Sequence, residues 1–167
     1  MTAMYHKQEN CILKSNLWKF FKALRAQANP IYSLLAASPI HYAWITIHDK
    51  ADTASQKRIP ISLFIHNLKK IPSKDKYYSL NINLYNIGKG CHGKSTCNII
   101  RLSELSVDML ITLLSDIVAF HCMEARKSGG HFELTPQTIK YYKFKKRYLE
   151  ELKTIVERCN AEIEIQS

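Results

Sequence analysis

Apolar residues recur every three or four positions at the start of the chain. Leu13, Leu17, Phe20, Phe21 and Leu24 make one stripe, and Lys14, Lys19, Lys22 and Arg25 fall off it. That spacing predicts an amphipathic helix. The stretch "ANPIYSLLAASP" breaks at Pro30 and adds a second, shorter helix to about Ala37. The two helices are expected over about 8–37.

The period then falls to two. "HYAWITIHD" carries Trp44, Ile45, Thr46 and Ile47, residues that suit a pleated surface. "IPISLFIHNL" alternates Ile61, Leu63 and Ile65 against Ser62 and His66. In "YYSLNINLYNI", Leu80, Ile82 and Leu84 face one way and Asn81, Asn83 and Tyr85 the other. "CNIIRL" makes a shorter fourth strand. Consecutive strands with modest loops predict a four-stranded antiparallel meander over about 41–102. Its apolar face needs helices as cover.

Two helices follow over about 106–163. Ser106 is a candidate N-cap, and Val107, Leu110, Ile111, Leu114, Ile117 and Val118 form a wide apolar face to about Lys127. Ser128, Gly129 and Gly130 end it. Thr135 and Pro136 open a last helix, with Tyr142, Leu149, Leu152, Val156, Cys159 and Ile163 as its buried stripe. The expected order is ααββββαα, an α+β fold. The length, 167 residues, suits a single domain over 1–167.

No apolar run approaches the roughly 20 residues of a membrane span. The first residues, "MTAMYHKQEN", contain Glu9 and lack the apolar core of a signal peptide. Cys11, Cys91, Cys97, Cys122 and Cys159 are scattered and odd in number. Reduced thiols in a cytoplasm are the simpler expectation.

Charge changes the picture most. The chain holds 24 Lys and Arg against 14 Asp and Glu, a net +10. Between Thr53 and Ser103 the basic residues are Lys57, Arg58, Lys69, Lys70, Lys74, Lys76, Lys89, Lys94 and Arg101, and the only acid is Asp75. Such a segment repels itself, and polyanions are its natural partners. A merely solvated basic surface is the plain alternative.

Within "NIGKGCHGKST", Gly88, Gly93, Lys94 and Ser95 fit the phosphate-loop pattern G-x-x-x-x-G-K-[ST]. A working phosphate loop opens directly into a helix whose N–H groups cradle phosphate. "STCNIIRLSELS" reads poorly as a helix, and the downstream acids Asp108 and Asp116 sit in helical periodicity rather than at strand ends. A hairpin tip is the better expectation. There Gly88, Gly90 and Gly93 permit positive φ, and Lys89 and Lys94 add charge that can grip a phosphate. Gly90 to Gly93 also fits the GXXG loop of KH modules, but that loop joins helices and here a strand precedes it.

A second segment, "TIKYYKFKKRYLEEL", interleaves Lys140, Lys143, Lys145, Lys146 and Arg147 with Tyr141, Tyr142, Phe144 and Tyr148. Cations at a helix N-terminus oppose the macrodipole. That inversion points to a phosphate-facing first turn. The plain alternative makes the aromatics core and the cations solvated, with Lys146–Glu150 and Arg147–Glu151 as weak helical pairs. Cys91, His92 and Cys97 with His121 or Cys122 form a possible zinc set, although the spacing of Cys91 and Cys97 exceeds the usual one. His41, His48 and His66 on neighbouring strands would suit a histidine-based ribonuclease.

Together these features point to a small basic nucleic-acid-binding accessory or regulatory protein, non-catalytic and without a cofactor, with DNA favoured over RNA. Small size and the lack of enzyme motifs suggest a mobile element. Contact is expected from Lys69, Lys70, Lys74, Lys76, Lys89, Lys94 and Lys140 through Arg147. The alternative is an interaction adaptor or translocated effector with a basic face. A phosphate-loop nucleotidase or a ribonuclease ranks below both.

Overall fold

The structure is a computed structural model that describes residues 11–85, 97–101 and 106–166. Helix α1 spans Lys14–Gln27 and buries Leu17, Phe21 and Leu24, the predicted stripe. Helix α2, Asn29–Ala37, follows after one residue, with Pro30 in its first turn where a missing N–H costs nothing. Strand β1 is Ala43–Asp49, β2 is Gln56–Ile59, β3 is Lys76–Tyr85 and β4 is Cys97–Arg101. Between β2 and β3 lie helix α3, Ile61–His66, and a 3-10 turn at Leu68–Lys70. Helices α4 (Val107–Ile111), α5 (Leu114–Lys127), α6 (Pro136–Tyr142) and α7 (Leu149–Gln166) complete the order.

The α+β class and the antiparallel sheet stand. The strand order is β2-β1-β3-β4, so the sheet is not a sequential meander. Strand β1 is held on both sides, with Ile45 opposite Ile59 on β2 and opposite Leu80 on β3. Ile45, Ile47, Tyr78, Leu80 and Ile82 share the face that joins the helical core. Ahead of α1, Ile12 pairs with Tyr78 through two 2.8 Å backbone hydrogen bonds.

Three predicted strands form, and the second does not. "IPISLFIHNL" becomes α3, led by Pro60. Proline cannot donate to a ladder, and its fixed φ suits a helix entry. The buried set is Ile61, Phe64 and Ile65, at helical spacing, while Leu63 is exposed. The edge strand is the polar "QKRI" instead.

The predicted helix over 106–127 is split by a turn at Thr112 and Leu113. Ser106 does cap α4, accepting from the Met109 N–H. Thr112 Oγ1 donates to the Met109 carbonyl at 2.6 Å, a side-chain bond that competes with helix continuation.

The predicted last helix is also broken. Thr135 caps α6 as expected, but Lys143 takes the left-handed conformation at φ 58°. Phe144 N–H bonds the Ile139 carbonyl at 3.1 Å and Lys143 N–H bonds that of Lys140 at 3.3 Å. This is a Schellman termination. Phe144 turns into the core, and Lys145 N–H is taken by the buried Asn29 side chain at 2.8 Å. A second helical start at Leu149 follows a 3-10 turn at Lys146–Tyr148. Among the described residues, no helix is long and apolar enough to cross a membrane.

Candidate functional site

Besides residues 76–103, three long stretches of the chain contain no Asp or Glu: 10–48, 53–74 and 134–149. They hold α1, α2, α3, the 3-10 turn after α3, and α6 with the segment up to α7. The fold brings them together. Lys14 Nζ donates to the Ile71 carbonyl at 2.6 Å, which ties the start of α1 to the turn after α3. At the other end of α1, Lys145 Nζ donates to the Arg25 carbonyl at 3.3 Å, Arg147 to that of Ala26 at 2.7 Å and Tyr148 Oη to that of Gln27 at 2.6 Å. Along α1, Lys14, Trp18, Lys22 and Arg25 follow at helical spacing and share one side. A line of cations therefore runs the length of α1, about 20 Å at 1.5 Å per residue.

A cleft of about 600 Å³ opens where α1, α2, α3 and α6 meet. Trp18, Tyr32 and Ile65 supply its apolar wall, and Tyr141 and Tyr142 the opposing lip. Arg25, Lys143 and Lys145 bring the cationic groups, His66 adds an imidazole, and among the described residues no carboxylate lines it. The Arg25 guanidinium lies 5.8 Å from the Tyr32 ring centre. Burial raises the Tyr32 phenol above its usual value, with Arg25 acting the other way. Burial, chiefly, pushes Tyr142 to about 12. Both stay neutral at physiological pH and keep a donor hydroxyl.

The lip is braced from below. Tyr141 is 73% exposed. Its ring meets Tyr142 edge-on at 4.9 Å, and Tyr142 stacks on the buried Phe144 at 5.1 Å with a 10° tilt. Tyr142 also touches His121 and Phe132.

Of the expected contact residues, Lys143 and Lys145 lie in this cleft. Lys140, in the last turn of α6, is exposed, as are Lys146 and Arg147 on the 3-10 turn. Lys69, Lys70 and Lys74 are exposed in the segment joined to the far end of α1. Lys76 departs from the expectation, since its Nζ is held by Asp49 at 2.9 Å. That contact lowers the Asp49 carboxyl below its usual value, helped by the Ala51 N–H. Lys89, Lys94, Gly88, Gly90, Gly93 and Ser95 lie outside the described residues. The elements on either side of that loop, β3 and β4, are antiparallel partners with Tyr85 opposite Cys97.

The expected inversion of charge at a helix N-terminus is corrected. Lys140 is at the C-terminal end of α6, where a cation is favourable, and α7 begins with Glu150 and Glu151. Lys145 and Arg147 supply cations to the C-terminal carbonyls of α1. The hidden helix break at Lys143 made the segment look mis-charged. Trp18, Arg25 and Tyr32 were missed as site residues, and His66 was weighed only as a ribonuclease histidine. For Trp18 and Arg25 the signal was the cationic side of α1, which the apolar stripe had marked only as solvent-facing; Tyr32 gave none.

His41, His48 and His66 do not lie on neighbouring strands as the ribonuclease expectation had them. His41 precedes β1 and sits 3.5 Å from Glu124, His48 is near the end of β1, and His66 ends α3. Seven residues of extended chain separate His41 from His48, roughly 20 Å. His48 Nε2 lies 2.9 Å from Ser79 Oγ on the polar face of the sheet, where Asn81 and Trp44 both donate to Thr46 Oγ1. Ser79 is 1% exposed.

His121 is buried against α2, with Nε2 3.0 Å from the Leu34 carbonyl. The carbonyl accepts, so Nε2 carries the proton. Burial lowers this imidazole to about 4. Cys122 is also buried, with its thiol pushed up to about 12. Among the described residues, no three His, Cys, Asp or Glu side chains gather to hold a metal. Asp108 and Asp116 are in the first turns of α4 and α5. No protein-family model, curated protein or solved structure matches this chain, so the chemistry of the cleft is what speaks for its function.

Proposed function

We propose that the protein binds nucleic acid through the acid-free face of α1 and the cleft at its end, as a non-catalytic accessory or regulatory factor. The carrying observation is the cleft itself, in which Arg25, Lys143, Lys145 and His66 line the same recess as four aromatic rings and, among the described residues, no carboxylate joins them. Phosphate contacts supply most of the affinity in such a surface, and aromatic faces add stacking. Lys22 and Arg25 on α1 with Lys143 and Lys145 give about four phosphate contacts. Among the described residues, His66 is the only imidazole of the cleft and no carboxylate lines it. That composition favours holding a phosphodiester over cleaving one.

Anisotropy with labelled 20-nucleotide DNA and RNA strands tests this at two salt concentrations. Four contacts predict a log–log salt slope of about −3, or about 50-fold weaker binding from 50 to 200 mM salt. Absence of saturable binding at 50 mM salt would sink the proposal. Tight, salt-sensitive binding to an acidic protein in its place would support an adaptor.

A further inference from the structure

We propose that the cleft admits an unstacked base, so that the protein grips single-stranded or locally opened nucleic acid in preference to intact duplex. The inference rests on the nucleic-acid reading and adds to it the part of the ligand that enters.

The aromatic content of the cleft is what phosphate binding leaves unexplained. Phosphate contact needs donors and positive charge, both of which exposed lysines supply on a convex surface. Here Trp18 and Tyr32 line a recess, and Tyr141 stands at its lip. Tyr141 buries little of itself, at 73% exposure, and so adds little to the core. Its ring is nevertheless held in place through Tyr142 and the buried Phe144. A braced, exposed ring beside a recess is a stacking platform, because every base has a π-face and the platform loses little freedom on binding. Duplex hides those faces inside its stack, whereas a single strand or a flipped nucleotide presents them.

The backbone at the lip supplies a second, independent observation. Among the described residues, two helices, α5 and α6, end in a Schellman termination. At the end of α5 the left-handed position is Gly129, φ 83°, with Gly130 N–H bonded to the Ala125 carbonyl at 2.9 Å. At the end of α6 the same position is Lys143, φ 58°. Glycine is the unstrained residue for that conformation. Lys143 accepts strain where Gly129 avoids it, and its position lines the cleft. The turn itself serves packing, since it delivers Phe144 to the core, but a lysine rather than a glycine at its strained position does not, and strain of that kind is what binding sites retain. Lys143, Lys145 and Arg25 then surround the recess as phosphate partners for the strand on either side of an inserted base.

The test compares a 12-nucleotide thymidine strand with an abasic strand of equal length, which keeps the phosphates and lacks the bases. Both are titrated at 50 mM salt against the wild-type protein and Tyr141→Ala, whose exposed side chain can be removed without opening the core. The abasic strand is expected to bind roughly tenfold more weakly than the thymidine strand. Tyr141→Ala is expected to weaken the thymidine strand by a similar factor and to leave the abasic strand within about twofold. Trp18 emission should change with the thymidine strand and not with the abasic one. Equal affinity for both strands, unchanged in Tyr141→Ala and still salt-dependent, would overturn base insertion while phosphate binding survives. Failure of both strands to bind would remove the nucleic-acid reading, and base insertion with it.

Discussion

Two clefts of similar size differ in almost every chemical respect. The first, about 600 Å³, lies between α1, α2, α3 and α6 and is lined by Arg25, Lys143, Lys145 and His66 with no acid. The second, about 630 Å³, lies between residues 131–135 and α7 and carries Glu133, Glu157 and Glu164 with Lys153 and His131. They are linked through aromatic rings, because Phe132 of the second cleft meets Tyr142 of the first at 5.5 Å and the buried His121 packs against both. Folding alone does not demand the contrast. Arg25, Lys143, Lys145, Glu133, Glu157 and Lys153 are all exposed, so exchanging charges among them costs the core little. The mixed cleft is what an ordinary soluble surface looks like. The uniform one concentrates like charge against its own repulsion, which singles it out as the place where an anion arrives.

The largest expected effect lies at His121, behind the rings that link the two clefts. His121 is 7% exposed and its imidazole is depressed to about 4, first by burial, with the Leu34 carbonyl and Glu124 opposing. The unfolded chain returns it to about 6.5. The neutral form is therefore the folded form. Its stability is fully present above pH 6.5 and is lost as pH falls toward 4, by about 3 kcal/mol for this one group. Urea unfolding at pH 7 and pH 4.5 reads the loss. In His121→Gln most of that difference should vanish, while Ser38 Oγ still donates to the Leu34 carbonyl at 2.7 Å. An unchanged pH dependence in the variant would mean that His121 is not the group behind the acid loss of stability.

Smaller, and aimed at the contrast itself, is reversal of charge in each cleft. Arg25→Glu and Lys143→Glu are each expected to weaken single-strand binding about tenfold or more and to lower the salt slope by about 1. Glu133→Lys and Glu157→Lys place the same size of change in the mixed cleft. They are expected to leave affinity within about threefold, shifted upward if at all. Equal losses from both pairs would show that net charge governs binding and that the uniform cleft has no special standing.

Much of the fold was legible because its signals were local. The Leu17, Phe21 and Leu24 stripe, the Ser106 and Thr135 caps, the strand-favouring residues of β1 and the sequence alternation of β3 each depend on neighbours within a few residues. The errors came where a distant partner decided. Lys143 terminates a helix that looked continuous because Phe144 finds the core and Asn29, more than a hundred residues earlier, takes the next N–H. In the Pro60 to His66 segment, burial of Phe64 selected the helical period over an equally visible alternation. Half of the cleft followed the same pattern. Lys143 and Lys145 stood out through the interleaved aromatics of their own segment. Trp18, Arg25 and Tyr32 became site residues only when α6 was folded against α1 and α2.

The smallest expected effect uses the two helix ends as mirror images. Gly129 has open space around the place a Cβ would occupy, yet its φ of 83° is one that side chains resist. Gly129→Ala should therefore lose about 1 kcal/mol through backbone strain alone. Lys143→Gly relieves the corresponding strain. It should gain up to about 1 kcal/mol, a rise of roughly 2–4 °C in Tm. The same substitution removes an amine from the cleft and should weaken single-strand binding several-fold. Stability and affinity moving in opposite directions after one substitution is the signature of a residue kept for its ligand. If Lys143→Gly instead lowers Tm and leaves binding intact, Lys143 serves the helix end, and the cationic cleft loses its strongest claim to selection for an anion.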